Sequence, residues 1–230
     1  MNAAATFDDW PDKYDQWFTT PIGRLIHRYE NELVCDMLKP MPGEKILDVG
    51  CGTGVFTREL VQAKSCVTGI ELSFPMLLRA KEKMDSSLFL KVLGDMSDLP
   101  FAADTFDKVM SITAIEFIRD ARRAVAELFR VTKPAGTIVV ATLNHKSPWA
   151  ERRKEKAKRG HALFKTAIFR SPAELRRLSP ARGEIKTAIH FEKHQDPARA
   201  AEIEAKGMIS GCDTGAFIAI KWVKEKQETL

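Results

Sequence analysis

Two rhythms of apolar positions run along this chain of 230 residues. Ile22, Ile26, Tyr29, Leu33 and Met37 recur every three or four residues, so the pattern predicts a helix with one apolar stripe. Thr20 and Pro21 supply its cap and first position, and Lys39-Pro40-Met41-Pro42-Gly43 ends it. Short apolar runs then alternate with helix-like stretches. Lys45 to Val49 (KILDV), Cys66 to Leu72 (CVTGIEL), Leu88 to Leu93, Phe106 to Ile112 (FDKVMSI) and Thr137 to Leu143 read as strands. Helices are expected over Val55 to Lys64, over Pro75 to Met84 behind a Ser73 cap, and from Asp120 to Val131 with Val125, Leu128 and Phe129 on the apolar side. Strands alternating with helices predict an α/β fold with a parallel, doubly wound sheet.

After Asn144 the rhythm changes. Ser147 to Gly160 is polar and helical in character, Ser171-Pro172-Ala173-Glu174 opens another short helix, and a helical insertion is expected around Pro197 to Lys206. It separates two closing strands, Ile185 to Phe191 and Ala216 to Val223, which bring the total to seven in a mostly parallel, Rossmann-like sheet. The expected organisation is a single domain: a helical cap over 1–44, a core over 45–144, an α-helical insertion or lid with strand six over 145–213, and the last strand and tail over 214–230. A turn of type I is expected at Lys133-Pro134-Ala135-Gly136, with Pro134 second and Gly136 fourth.

Composition narrows the function classes. No apolar run approaches the roughly 18 residues a membrane helix needs, and the first residues, Met1 to Asp9, lack the charged and apolar regions of an export signal, so a cytoplasmic protein is expected. Cys35, Cys51, Cys66 and Cys212 show no metal or disulfide spacing. The net charge of +5 is unevenly placed: thirteen basic against four acidic residues lie between Lys146 and Lys186. Arg152 to Arg159 within it reads first as a solvated helix face, since acids break the run and no aromatic residues interleave for base stacking.

The chemistry concentrates at the end of the first strand. Asp48-Val49-Gly50-Cys51-Gly52-Thr53-Gly54 is a glycine-rich turn that lets a ligand approach bare backbone and the next helix. Its spacing is GxGxG; the dinucleotide fingerprint GxGxxG needs glycine where Val55 stands. Asp48 would repel a pyrophosphate but suits a ligand carrying an ammonium group. Glu71 follows Gly50 by 21 residues, a separation at which an acid accepts from ribose hydroxyls.

Taken together, ILDVGCGTG, VTGIELS and GDMSDLPF resemble the class I methyltransferases that use S-adenosylmethionine (SAM), in particular the branch of ubiquinone and menaquinone biosynthesis, methyltransferase type 11. The resemblance covers about Tyr14 to Asn144. It implies SAM as cofactor, S-adenosylhomocysteine as product, and methyl transfer to an O, N, S or C atom of a small molecule. It further implies that Gly50, Cys51, Gly52 and Gly54 line the methionine part with Asp48 at the amino group. Glu71 would hold the ribose, Leu72 would pack on adenine, Asp95 would accept from its amino group, the Met96 backbone would meet the ring edge, and Thr113 would border the transfer site.

The remaining candidates carry bland readings beside sharp ones. Tyr14, Trp17 and Phe18 either pack the first helix or cover the cofactor. Tyr14, Glu116 and His145 are candidate bases, and Trp17, Asn144 and Trp149 are candidate substrate contacts on the catalytic edge. Cys51 has no local base to activate it, and the His190/His194 pair lacks the order of a metal motif, so no metal is expected. A lid carrying Arg152, Arg153 and Lys154 would suit a partly apolar, anionic acceptor. Two other classes share parts of the pattern: an NAD-dependent oxidoreductase through the fold and Glu71, and a non-catalytic nucleotide- or RNA-binding module through the basic segment.

Overall fold

A computed structural model describes residues 7–226. Residues 1–6, part of the segment read for an export signal, and 227–230, the end of the tail, lie outside the described residues. Two N-terminal helices, α1 (Pro11–Thr19) and α2 (Pro21–Leu38), precede the sheet. Thr20 caps α2 as expected, its Oγ1 accepting from the Gly23 amide at 3.0 Å. The alternation that follows is β1 (Lys45–Val49), α3 (Thr57–Gln62), β2 (Cys66–Glu71), α4 (Phe74–Lys83), β3 (Phe89–Leu93) and β4 (Phe106–Ile112). Then come α5 (Ala121–Val131), β5 (Thr132–Leu143), and the helices α6 (Pro148–Lys158), α7 (Ala162–Thr166) and α8 (Pro172–Arg176). The chain closes with β6 (Glu184–Ala188), α9 (Pro197–Ser210) and β7 (Phe217–Val223).

The sheet has seven strands in the order β3-β2-β1-β4-β5-β7-β6. β1 lies parallel to β2 and β4, and only β7 runs antiparallel, to both β5 and β6. The order reverses between β1 and β4, and a reversal opens a crevice at the carboxyl ends of the strands. Both sheet faces are covered, which is why the central strands are near-continuous apolar runs. Ile46 joins α2 residues Ile26, Leu33 and Met37 in one layer; its neighbour Leu47 points the other way, to α5 residues Ala124, Val125 and Leu128. Two layers of helices therefore hold the crevice rim in a fixed place.

Two local expectations change. α3 spans less than Val55 to Lys64 because the chain after Gly54 first turns, and helical bonding begins only at Thr57. The turn before the body of β5 is not type I. Ala135 has φ 62, the left-handed region, which type II turns use at their third residue and type I turns do not. The turn is fastened there: the Ala135 amide donates to Lys224 O at 2.9 Å and the Lys224 amide to Gly136 O at 3.0 Å. Tertiary hydrogen bonds thus hold an alanine in a conformation its Cβ opposes. Ala135→Gly should stabilise the chain by about 1 kcal/mol, a rise in Tm of roughly 2–4 °C by thermal unfolding. An unchanged or lower Tm would show that the left-handed alanine carries no strain.

Candidate functional site

The crevice at the switch between β1 and β4 is a cleft of about 710 Å³ with its open mouth included. Its floor is the glycine turn. Gly50, Gly52 and Gly54 all have positive φ, and a Cβ on Gly52 would meet nothing within 4 Å, so that backbone faces open space. Gly50 and Gly54 serve packing: a Cβ there would lie 2.4 Å from the Ala114 Cβ and 2.3 Å from the Met84 Cε. Cys51 is buried, and burial pushes its thiol well above the usual range, which leaves it protonated and inert.

Glu71, at the end of β2, fixes this floor to the next wall. Its Oε2 accepts from the Gly52 amide at 3.0 Å, while Oε1 accepts from Leu72 at 2.8 Å and Ser73 at 2.9 Å. Burial pushes its pKa up, and the three N–H groups pull it part of the way back. Leu72, Asp95, Met96 and Thr113 line the same cleft with Ile70, Met76 and Ile118. Asp95 forms a turn through Oδ1, which accepts from Ser97 N at 2.7 Å. One end of the cleft is therefore an apolar slot closed by a carboxylate, and the other is bare backbone. That is the polarity of a nucleoside joined to a charged tail, and SAM fits it.

Asp48 lies beneath the turn, 3% exposed, with Oδ2 accepting from the Thr57 hydroxyl at 2.6 Å. Burial, only partly offset by that bond and reinforced by the negative Glu71, pushes it up to about 7. A cation in the turn would reverse that penalty.

The N-terminal aromatics separate into different roles. Tyr14 lines the cleft together with Phe7, whose ring meets Phe117 edge-on at 4.8 Å. Its hydroxyl bonds to the Thr113 side chain, and burial drives the phenol far above its ordinary range, so it stays neutral. Trp17 packs against the helical layer under Lys193, and Phe18 stacks edge-on against His27 and Phe56. α1 and the residues just ahead of it are clasped over the cleft by acids. Asp8 accepts from the Ser73 hydroxyl at 2.7 Å, Asp12 pairs with Arg79 at 2.6 Å, and Asp15 accepts from Thr53 at 2.6 Å and pairs with Lys83. Thr113 itself has φ 50, a strained conformation for a β-branched residue placed at the rim.

Three other candidates lie elsewhere. Asn144 is fully buried, and both its donors go to backbone, to Asp213 O at 2.7 Å and Gly215 O at 2.9 Å; it holds the β5–β7 corner and presents no free donor to a substrate. Trp149 is 9% exposed, its indole donating to Phe191 O at 2.7 Å, which makes it a packing residue of α6. His145 is half-exposed, with Nδ1 3.3 Å from Glu174, the acid of the α8 capping box, and not on the cleft wall.

Glu116, in a short 3-10 turn (Ile115–Phe117) after β4, is 1% exposed. Beside it the fold assembles Glu30, which pattern reading did not select, and Arg153, which it named only as part of a basic lid segment. Glu30 of α2 is 6% exposed and pushed up to about 8 by burial, with Arg153 opposing and Glu116 reinforcing; Glu116 is likewise pushed by burial, to about 7. The signal was present for Glu30: it stands four residues after Ile26 and three before Leu33, an acid on the apolar stripe. Arg153 departs from the expected solvated face. Arg152 and Lys154 do lie outside, paired with Glu192 and Glu151, but the Arg153 guanidinium turns inward over the rings of Trp149 and Phe169, and burial lowers it to about 10.

Residues 47–140 match the family model described as a methyltransferase domain. In this core segment the chain is similar to the class I, SAM-dependent methyltransferases. A demethylmenaquinone methyltransferase of Renibacterium salmoninarum is 34% identical over 142 residues, 62% of this chain and 59% of that one. A malonyl-[acyl-carrier protein] O-methyltransferase of Pectobacterium atrosepticum is 36% identical over 118 residues, 51% of this chain and 46% of its own. The chain thus aligns with only about half of the length of these relatives. In structure, a SAM-dependent methyltransferase of Thermotoga maritima, described as a possible histamine N-methyltransferase, superposes with a TM-score of 0.77 at 20% identity, over 97% of this chain and 100% of that one. That likeness extends the shared fold beyond the family match, through the helices after β5.

The buried acids set a pH dependence. Asp48, Glu30 and Glu116 have folded-state values near 7 to 8, above the roughly 4 of an unfolded carboxylate. Between those limits the folded state binds more protons than the unfolded one, so stability is complete below about pH 4 for these groups and falls as pH rises through 7 to 8. The slope is about 1.4 kcal/mol per pH unit for each proton difference. Ligand-free protein should therefore lose Tm between pH 5 and 8.5 by calorimetry, and Glu30→Gln should flatten that loss. A level profile in this window would mean that these carboxyls are ionised and solvated.

Proposed function

We propose that this protein transfers the methyl group of SAM to a small-molecule acceptor. The observation that carries the reading is the Glu71 carboxylate, held by Gly52, Leu72 and Ser73 amides where a glycine floor with open backbone meets an apolar slot ending at Asp95. In this reading Glu71 accepts from ribose hydroxyls, Leu72 and Met96 pack on adenine, Asp95 accepts from its amino group, and Gly50 to Gly54 with Asp48 take the methionine end. SAM supplies a sulfonium methyl that is already activated. The chain's own task is to bind, to align the acceptor in line with that methyl, and to exclude water.

The parts divide accordingly. α1 and α2 form a cap, 45–144 the cofactor core, 145–213 the region facing the acceptor, and 214–226 the last strand with its tail. Tyr14, neutral and hydrogen-bonded to Thr113, borders the point where the methyl would sit. A cytoplasmic setting accompanies this reading, and the free thiols Cys35, Cys51, Cys66 and Cys212 fit a reducing compartment. A small molecule, not nucleic acid, is the partner in this reading: Arg152, Lys154 and Lys158 are each paired with a glutamate, which offsets much of the positive charge on that helix face.

Titration calorimetry tests the cofactor assignment directly. Glu71→Ala should weaken SAM binding by about 1.5–3 kcal/mol, the value of charge-assisted hydrogen bonds, in a variant confirmed folded by circular dichroism. Asp95→Asn should weaken it less and leave the ligand-free Tm unchanged. Wild-type affinity in folded Glu71→Ala would remove the assignment.

A further inference from the structure

We propose that Glu116 is the proton acceptor of the reaction and Arg153 the anchor for an oxygen of the substrate, so that the acceptor is a small molecule bearing an N–H or O–H nucleophile together with an anionic or carbonyl oxygen. This rests on the methyl-transfer reading and adds the class of substrate to it. The two groups come from distant parts of the chain, the turn after β4 and helix α6, yet lie close enough for the Arg153 charge to act on Glu116, whose charge in turn acts on Tyr14 of the cleft wall. Each has one buried polar atom without a partner among the described residues: Glu116 Oε1 and Arg153 Nη1. The other Glu116 oxygen accepts from the Thr142 hydroxyl at 3.0 Å, which leaves Oε1 as the working atom.

Buried polar atoms left unpaired are costly, and a bound ligand is one partner that completes them. One needs a donor and the other needs an acceptor. A molecule with a protic nucleophile and an oxygen satisfies both at once, whereas a hydrocarbon or a simple carboxylate satisfies at most one. Arg153 cannot turn to solvent without leaving the Trp149 and Phe169 rings, 5.8 and 5.7 Å from its guanidinium. Arg170 is not an equivalent anchor, since its guanidinium already donates to Ile115 O at 2.9 Å and Ile168 O at 3.2 Å.

The step balances. The acceptor nitrogen or oxygen forms its bond to the methyl carbon, the carbon–sulfur bond of the sulfonium donor breaks with its electron pair on sulfur, and the acceptor proton passes to Glu116 Oε1. The charged and titratable groups facing Glu116 are Tyr14 from α1, Glu30 from α2, Arg153 from α6 and Arg170 ahead of α8. Burial pushes its carboxyl up to about 7, with the Thr142 bond, Arg153 and Arg170 opposing, and a proton acceptor of this kind works in that range.

The test is methyl transfer from isotope-labelled SAM to the metabolite fraction of a cell extract, with the product's acceptor atom read by mass spectrometry and NMR. The expected product carries the label on nitrogen or oxygen in a molecule that also has a carboxylate, phosphate or carbonyl oxygen. With that acceptor in hand, Glu116→Gln should lower kcat about 100-fold or more, with little change in KM and loss of the pH-rate limb near 7. Arg153→Lys should raise KM about 10- to 100-fold with a smaller effect on kcat. SAM affinity of both variants, measured by calorimetry, should stay within about twofold of wild type, which also confirms that they fold. Label on carbon or sulfur, or full activity in either variant, overturns this assignment and leaves the methyl-transfer reading intact. No labelled product from a wild-type protein that binds SAM overturns both.

Discussion

One carboxylate surrounded by three backbone N–H groups holds the working edge of this molecule together. Glu71 ends β2, yet its oxygens reach the turn after β1 through Gly52 and the start of α4 through Leu72 and Ser73. It therefore sets the distance between the floor of the cleft and its wall. The glycines can take left-handed conformations, but it is this carboxylate that tells the turn where to lie. A charge placed there also adds a polar surface to a slot that is otherwise apolar, and nucleoside recognition needs that mixture.

The cap depends on the same edge. Asp8, Asp12 and Asp15 bring α1 onto Ser73, Arg79, Thr53 and Lys83, and the result places Tyr14 over the cleft and next to Thr113. Several of these pairs are partly exposed, so each contributes little singly, and salt screens them. The buried tyrosine hydroxyl, in contrast, is committed to Thr113 and stays neutral across the physiological range.

Behind that cover the interior contains more charge than a passive core holds. Glu30, Glu116, Arg153 and Arg170 come from α2, the turn after β4, α6 and the loop before α8, so no stretch of local sequence brings them together. Burial acts on acids and bases in opposite directions: it raises the glutamates toward neutrality and lowers Arg153. The ionisation of this cluster is consequently sensitive to any change in its burial or in the charge beside it.

Sequence alone determined what depends on local periodicity and spacing. The α2 stripe, the KILDV strand, the GxGxG turn and the acid at Glu71 are encoded within a few residues each, because strand, cap and turn preferences act at short range. Their order along the chain was enough for the α/β class and for the mostly parallel seven-stranded sheet, and the turn with its acids carried the methyltransferase resemblance. Tertiary structure decided the rest. It made the turn at Ala135 left-handed through bonds to Lys224, turned Asn144 and Trp149 to structural work, and divided Tyr14 from Trp17 and Phe18. It also drew Arg153 out of an apparently solvated basic run and set it against Glu30, a residue 123 positions away in sequence. Charge along a sequence does not state its depth; only packing across α2, β4 and α6 settles which charges leave water and so which can act on a substrate.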